Sequence, residues 1–209
     1  MKYLLSIVAL GLVLALVFGY RMLPSNDPVV APLKASNTQA TVLKPPKTLV
    51  NFTLQDTNGN TFTQDSLLGH WTLMFFGYAD CPDICPTTLG IVSGLWRSYP
   101  TQMPHPKAHF VFVTLNPSQD TPAVIKKFLA GFNSDFIGVT GSETEINNLS
   151  KSANIFSWTD PKLSAAGKKV IDHSATLLLF NPEGQLHALF SPPYDIETLK
   201  NDLQIIIDR

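Results

Sequence analysis

Residues 71–86 read WTLMFFGYADCPDICP. The run WTLMFFG (71–77) is continuously apolar rather than alternating, the pattern of a strand covered on both faces. Two cysteines follow, Cys81 and Cys85, and they are the only ones in the chain. Each is followed directly by a proline. Proline is well placed in the first turn of a helix and disfavours helical geometry in the residue before it. The sequence therefore predicts a helix from Pro86 to about Ser98, with Cys85 as its N-cap. A buried strand, a short cysteine loop and a helix form the start of a β-α-β unit.

The rest of the chain extends that unit. LVNFTLQ (49–55) alternates apolar and polar residues, and Asn58-Gly59 before TFT (61–63) predicts an N-terminal hairpin. HFVFVTL (109–115) reads as a second buried strand. TPAVIKKFLAGF (121–132) reads as a helix capped by Thr121 with Pro122 at its first position. FIGVTG (136–141) is a short strand, and SETEINNLSKSA (142–153) opens with a Ser142/Glu145 capping box. ATLLLF (175–180) and QLHALF (185–190) flank an NPEG turn as a closing hairpin, and IETLKNDLQIII (196–207) is the last helix. Buried strands alternating with helices, then closed by antiparallel strands, predict an α/β thioredoxin-like fold: a central mixed sheet flanked by helices. In such sheets the site lies outside the carboxyl ends of the strands, where the two cysteines fall.

Composition limits the functions open to this domain. The chain has 209 residues, is 44% hydrophobic and 15% charged, and carries a formal net charge of −1. No Lys/Arg cluster exceeds two adjacent residues, so the basic footprint of a nucleic-acid-binding protein is missing. Leu4 to Tyr20 carries no charge, with Lys2 before it and Arg21 after it. As a helix it would rise about 26 Å, at the lower limit for a membrane span. Residues 1–21 are thus expected to be an N-terminal membrane anchor, a cleaved signal peptide being the other reading. Residues 22–47, rich in Pro, Ser and Asn, read as a tether, and 48–209 as the domain. The expected setting is a bacterial inner membrane with the domain in the periplasm.

Two thiols four positions apart can form a disulfide, a redox pair or a metal clamp. Two thiolates are soft ligands, suited to copper(I), zinc or an iron–sulfur centre. A closed zinc site wants four ligands and a typical cluster four thiolates, so two sulfurs with one imidazole suit copper. Five histidines are available. His70, His105, His109 and His187 read as solvated or strand-edge residues. His173 lies in VIDHSATLLLF just before the closing hairpin, where the inferred topology faces it toward the cysteine loop. Asp172 and Ser174 are candidate partners for its ring.

GYADCPDICPTTL, TLNPSQDTP, FIGVTG and DHSATLLLFNPEG, in this order and spacing, resemble the Sco/SenC family over about residues 48–209. The resemblance implies a membrane-tethered, thioredoxin-fold copper protein that assists cytochrome c oxidase assembly. It implies copper ligation by Cys81, Cys85 and His173, with Asp172 beside the ligand. The implied partner is the copper-bearing subunit of a terminal oxidase, with another periplasmic copper donor or thiol reductase as a further one. Two positions depart from the family's pattern: Asn116 stands where aspartate is common, and Asp80 where histidine is frequent. Asp120 and Thr121 match. An alternative function is thiol-disulfide exchange, with Cys81 and Cys85 as the catalytic pair. Against it, redox motifs in this fold usually hold two residues between the cysteines, not three. A redox-inert disulfide is weaker still, since so short a loop gains little entropy from closure.

Overall fold

The structure, a computed structural model, describes residues 40–98, 108–159 and 170–208. The expected anchor and residues 22–39 of the expected tether lie outside them. No helix of the described residues is long and apolar enough to cross a membrane.

Among the described residues, ten strands and four α-helices follow in order: β1 (Thr41–Lys47), β2 (Thr53–Asp56), β3 (Thr61–Thr63), β4 (Thr72–Gly77), α1 (Ile84–Ser98), β5 (His109–Thr114), α2 (Pro122–Ala130), β6 (Ile137–Thr140), α3 (Glu143–Ser152), β7 (Ser157–Thr159), β8 (Ile171–His173), β9 (Leu177–Phe180), β10 (Leu186–Phe190) and α4 (Ile196–Ile207). Eight strands form one mixed sheet in the order β1-β10-β9-β4-β5-β6-β2-β3, and β7 pairs with β8 apart from it. Strands β4, β5 and β6 run parallel, while β9 lies antiparallel to β4 on the other side. Every residue of β4 and of β9 is buried. A strand covered on both faces needs apolar side chains at even and odd positions alike, which is what the continuous runs encode.

The helices confirm the capping chemistry with one change. The Thr121 hydroxyl accepts from the Val124 N–H at 3.3 Å, and Pro122 opens α2 as expected. The Ser142 hydroxyl accepts from the Glu145 N–H at 3.2 Å. The Glu145 carboxylate does not return to the cap. It accepts from the Thr53 N–H at 3.0 Å, tying α3 to β2. A capping box closes only when its glutamate has no better donor, and here strand β2 supplies one.

Residues 41–47, read as the end of the tether, instead form β1, the edge strand. It pairs with β10 through Thr41–Leu189, Val42–Ala188 and Lys47–Leu186, with a bulge between Val42 and Lys47. Pro45 and Pro46 sit inside that bulge, where no ladder N–H is required, and proline is tolerated at such an edge. Leu43 is buried and anchors the strand to the core.

The sheet register locates the site. Phe75 pairs with Leu177, and β4 ends at Gly77 beside the end of β5 at Thr114. The loop after Gly77 and the segment before Leu177 therefore meet at one end of the sheet. One carries the cysteines and the other His173.

Candidate metal centre

Helix α1 begins at Ile84, two residues earlier than the prolines suggested. Asp83 opens it, its carbonyl accepting from the Thr87 N–H at 3.1 Å. Cys85 is therefore not the N-cap but lies inside the first turn, fully buried. Pro86 fits there too, because the first-turn N–H groups have no partner within the helix. The consequence is a change of which sulfur faces the helix end. The Asp83 and Cys85 N–H groups point to Cys81, and both favour its thiolate.

The two sulfurs behave as a pair. Hydrogen bonding from the Cys85 thiol pulls the Cys81 thiol down to about 3, against the opposing effect of burial. The same bond, followed by burial, pushes Cys85 far up. The first proton of the pair thus leaves readily and the second resists, because a second negative charge would be buried beside the first. A bound cation would offset that charge.

His173 completes the group. Its Nε2 lies 3.2 Å from Cys85 Sγ and 4.0 Å from Cys81 Sγ. The three donor atoms all lie within 4.8 Å of one another. The Ser174 carbonyl lies 3.1 Å from Nδ1 and accepts its proton, which leaves the Nε2 lone pair facing the sulfurs. Asp172, the other candidate partner, is exposed and takes no part in this contact. The ring is held edge-on by Phe75 and Tyr78, each at a centroid distance of 5.9 Å. Ser174 is itself fixed: its N–H donates to the Phe156 carbonyl at 2.9 Å and its hydroxyl accepts from the Phe156 N–H at 3.1 Å.

Three supports surround this triad. A Cβ on Gly77 would lie 2.7 Å from Cys85 Sγ and 2.9 Å from Phe112 Cε2, so glycine is what lets the sulfur approach the strand. Buried Asp120 accepts from the Ala79 N–H at 3.1 Å and from the Thr114 hydroxyl at 2.5 Å, linking the cysteine loop to the end of β5. Buried Tyr78 accepts from the Ile171 N–H at 3.3 Å and so holds the start of β8, the strand that ends in His173. No sequence pattern points to Tyr78 or to the Ser174 carbonyl; Gly77, as a glycine ending a buried strand, was the one clue available. Tyr78→Phe is expected to cost about 1 kcal/mol, the loss of the acceptor for the Ile171 N–H. Urea unfolding measures it.

Asn116 and Asp80 have different places. Asn116 is buried, its side chain bonded to Gln119 and Ser118, and its N–H donates to the Thr114 hydroxyl at 2.9 Å. It shapes the turn that carries Asp120. Asp80 is exposed at the mouth of the site.

The remaining histidines stand apart. His70 and His109 contact each other, ring centroids 3.9 Å apart, at the opposite end of β4 and β5. His187 packs edge-on against Trp71, and burial lowers its pKa. His105 lies outside the described residues. Among the described residues, only Cys81, Cys85 and His173 form a group of three metal-ligating side chains.

This geometry has close relatives. The family model described as SCO1/SenC matches residues 41–208. Mitochondrial protein SCO1 of Saccharomyces cerevisiae is 35% identical over 147 residues, which cover 70% of this chain and 50% of that protein. A SCO2-like protein of Rickettsia conorii is 33% identical over 160 residues, 73% of this chain and 75% of that one. The chain thus spans only half the length of the yeast relative. The crystal structure of yeast Sco1 with copper bound superposes with a TM-score of 0.71 at 32% identity, over 78% of this chain and 90% of that one. The family model spans nearly the whole of the described domain, with Cys81, Cys85 and His173 inside its bounds: the chain belongs to the SCO1/SenC family.

Proposed function

We infer that this chain is a copper metallochaperone, tethered to a membrane, that helps metallate the copper centre of a terminal oxidase. The observation that carries the reading is the triad itself. Two sulfurs and an Nε2 lone pair converge within 4.8 Å, and the tautomer that frees Nε2 is held by the Ser174 carbonyl. Two soft thiolates with one borderline imidazole fit copper, and three donors leave coordination space for an incoming ligand. The cargo would be held by Cys81, Cys85 and His173 and passed on by stepwise ligand exchange with a partner's thiols. Cys81, 8% exposed, is the sulfur that such a thiol meets first; Cys85 lies beneath it with no exposure.

The tether fits this reading. β1 starts at Thr41 opposite Leu189, at the same end of the sheet as the triad. A chain anchored through residues 1–21 would enter the domain at its metal-binding end, which suits delivery to a membrane-embedded oxidase from the periplasmic side of a bacterial inner membrane.

A second reading has its own observation. Both cysteines are free, and the more exposed one is the more acidic. As a thiol-disulfide oxidoreductase, the Cys81 thiolate would attack a partner disulfide. Cys85 would then resolve the mixed disulfide, leaving the chain oxidised and the partner with two thiols. Metal analysis of the reduced full chain separates the two. One copper(I) per chain, retained through desalting, is expected; no stoichiometric copper together with turnover of partner disulfides would replace the chaperone with the reductase.

A further inference from the structure

Residues 174–176 connect β8 to β9 and belong to neither strand. No ladder pairs their backbone groups, yet Ala175 is buried, and a buried carbonyl needs a donor. The donor comes from beyond the closing hairpin. Tyr194 stands in the turn between β10 and α4, one residue before Asp195, the N-cap of α4. Its hydroxyl donates to the Ala175 carbonyl and accepts from the Leu177 N–H at 3.1 Å. The Phe190 carbonyl, at the end of β10, lies 3.0 Å from the same oxygen. Burial raises the Tyr194 pKa, so the phenol keeps the proton it donates.

These contacts bear on the metal centre through one peptide. Upstream, Ser174 is fixed by its paired bonds to Phe156. Downstream, Tyr194 fixes the Ala175 carbonyl and the first N–H of β9. The Ser174–Ala175 peptide lies between these two clamps, and its carbonyl takes the proton of His173 Nδ1 at 3.1 Å. A neutral imidazole has one proton for two nitrogens. The nitrogen with a good acceptor keeps the proton, and the other presents its lone pair. A peptide free to turn would take the acceptor from Nδ1 and let the proton move to Nε2, the nitrogen 3.2 Å from Cys85 Sγ. We propose that Tyr194 is the positioning residue for His173: its phenol holds the far end of the Ser174–Ala175 peptide, so that the Ser174 carbonyl stays on Nδ1 and Nε2 faces the sulfurs with its lone pair. The inference rests on the copper-chaperone reading for its consequence, tighter holding of the metal by the third ligand. Its effect on the imidazole itself needs no metal.

The test compares Tyr194→Phe with the wild-type full chain, reduced and in detergent. In the metal-free protein, nitrogen-15 NMR reads the His173 tautomer. Wild type is expected to hold the proton on Nδ1, and the variant to show both tautomers. Competition against a copper(I) chelator then reads the ligand. Tyr194→Phe is expected to lower affinity about tenfold, the lower end for a group that orients a ligand. In a His173→Ala background the same substitution should change nothing, because the residue through which it acts is gone. Asp195→Ala removes the neighbouring cap of α4 and should lower the urea midpoint while copper affinity stays at the wild-type level. An equal loss from Tyr194→Phe in both backgrounds would mark a merely structural effect and overturn the proposal. So would a Tyr194→Phe chain with the wild-type tautomer and affinity. A wild-type chain that binds no copper would instead overturn the reading beneath, and the tautomer alone would then decide whether Tyr194 positions His173.

Discussion

His173→Ala should lower copper(I) affinity by more than about 100-fold, because even a residue that only orients a ligand is worth about 10–100-fold in metal affinity. Nε2 stands 3.2 Å from one sulfur and 4.0 Å from the other, so no other described side chain can take its place without moving. Cys85→Ser should be at least as damaging. The hydroxyl occupies the same buried position but is a hard donor, poorly matched to soft copper(I). Both variants should fold: the histidine is half-buried and the serine is smaller than the cysteine it replaces. Competition titration against a copper(I) chelator, with unfolding curves alongside, separates lost ligation from lost structure. Affinity within threefold of wild type for either variant would remove that residue from the ligand set.

Gly77→Ala should act on both fold and site. Its Cβ would meet Cys85 Sγ at 2.7 Å and Phe112 Cε2 at 2.9 Å, distances that require something to shift. Phe112 is fully buried in β5, against Phe75 and Phe128. The sulfur sits in the first turn of α1, so neither neighbour yields cheaply. Overpacking of this kind costs about 1–3 kcal/mol. The urea midpoint should fall accordingly, and copper affinity should fall with it as Sγ is displaced from His173. An unchanged midpoint would mean that β4 and α1 can separate without cost.

Much of this was legible in the chain. Unbroken apolar runs identified β4, β5 and β9 because both faces of those strands are covered. Thr121-Pro122 identified the start of α2 because the cap and the fixed proline geometry are local effects. That Cys81, Cys85 and His173 come together was legible for a different reason: the pattern left His173 open, and the resemblance of the Cys-x-x-x-Cys and Asp-His-Ser segments to the Sco/SenC family singled it out. Most of the misses are cases where a distant partner overrode a local signal. Residues 41–47 looked like tether because prolines dominate them, yet β10 offers an edge that tolerates a bulge. Cys85 looked like an N-cap because Pro86 follows it, yet proline is equally at home one or two positions further into the first turn. Glu145 looked like half of a capping box, yet the Thr53 N–H lies within its reach. The β7–β8 ribbon carries no alternating pattern, because each of its strands has only three residues. The orientation of His173 depends on a backbone carbonyl, which no side-chain pattern reports.

The most direct test of the copper site is X-ray absorption at the copper edge of the reduced, copper-loaded full chain. The structure predicts a first shell of two sulfurs at about 2.2–2.3 Å and one nitrogen at about 2.0 Å, soft-donor distances like those of thiolate and imidazole on zinc. His173→Ala should remove the nitrogen and leave the sulfurs. A shell of sulfur alone in the wild-type chain, or a nitrogen that survives the substitution, would contradict the assignment of His173 as the third ligand.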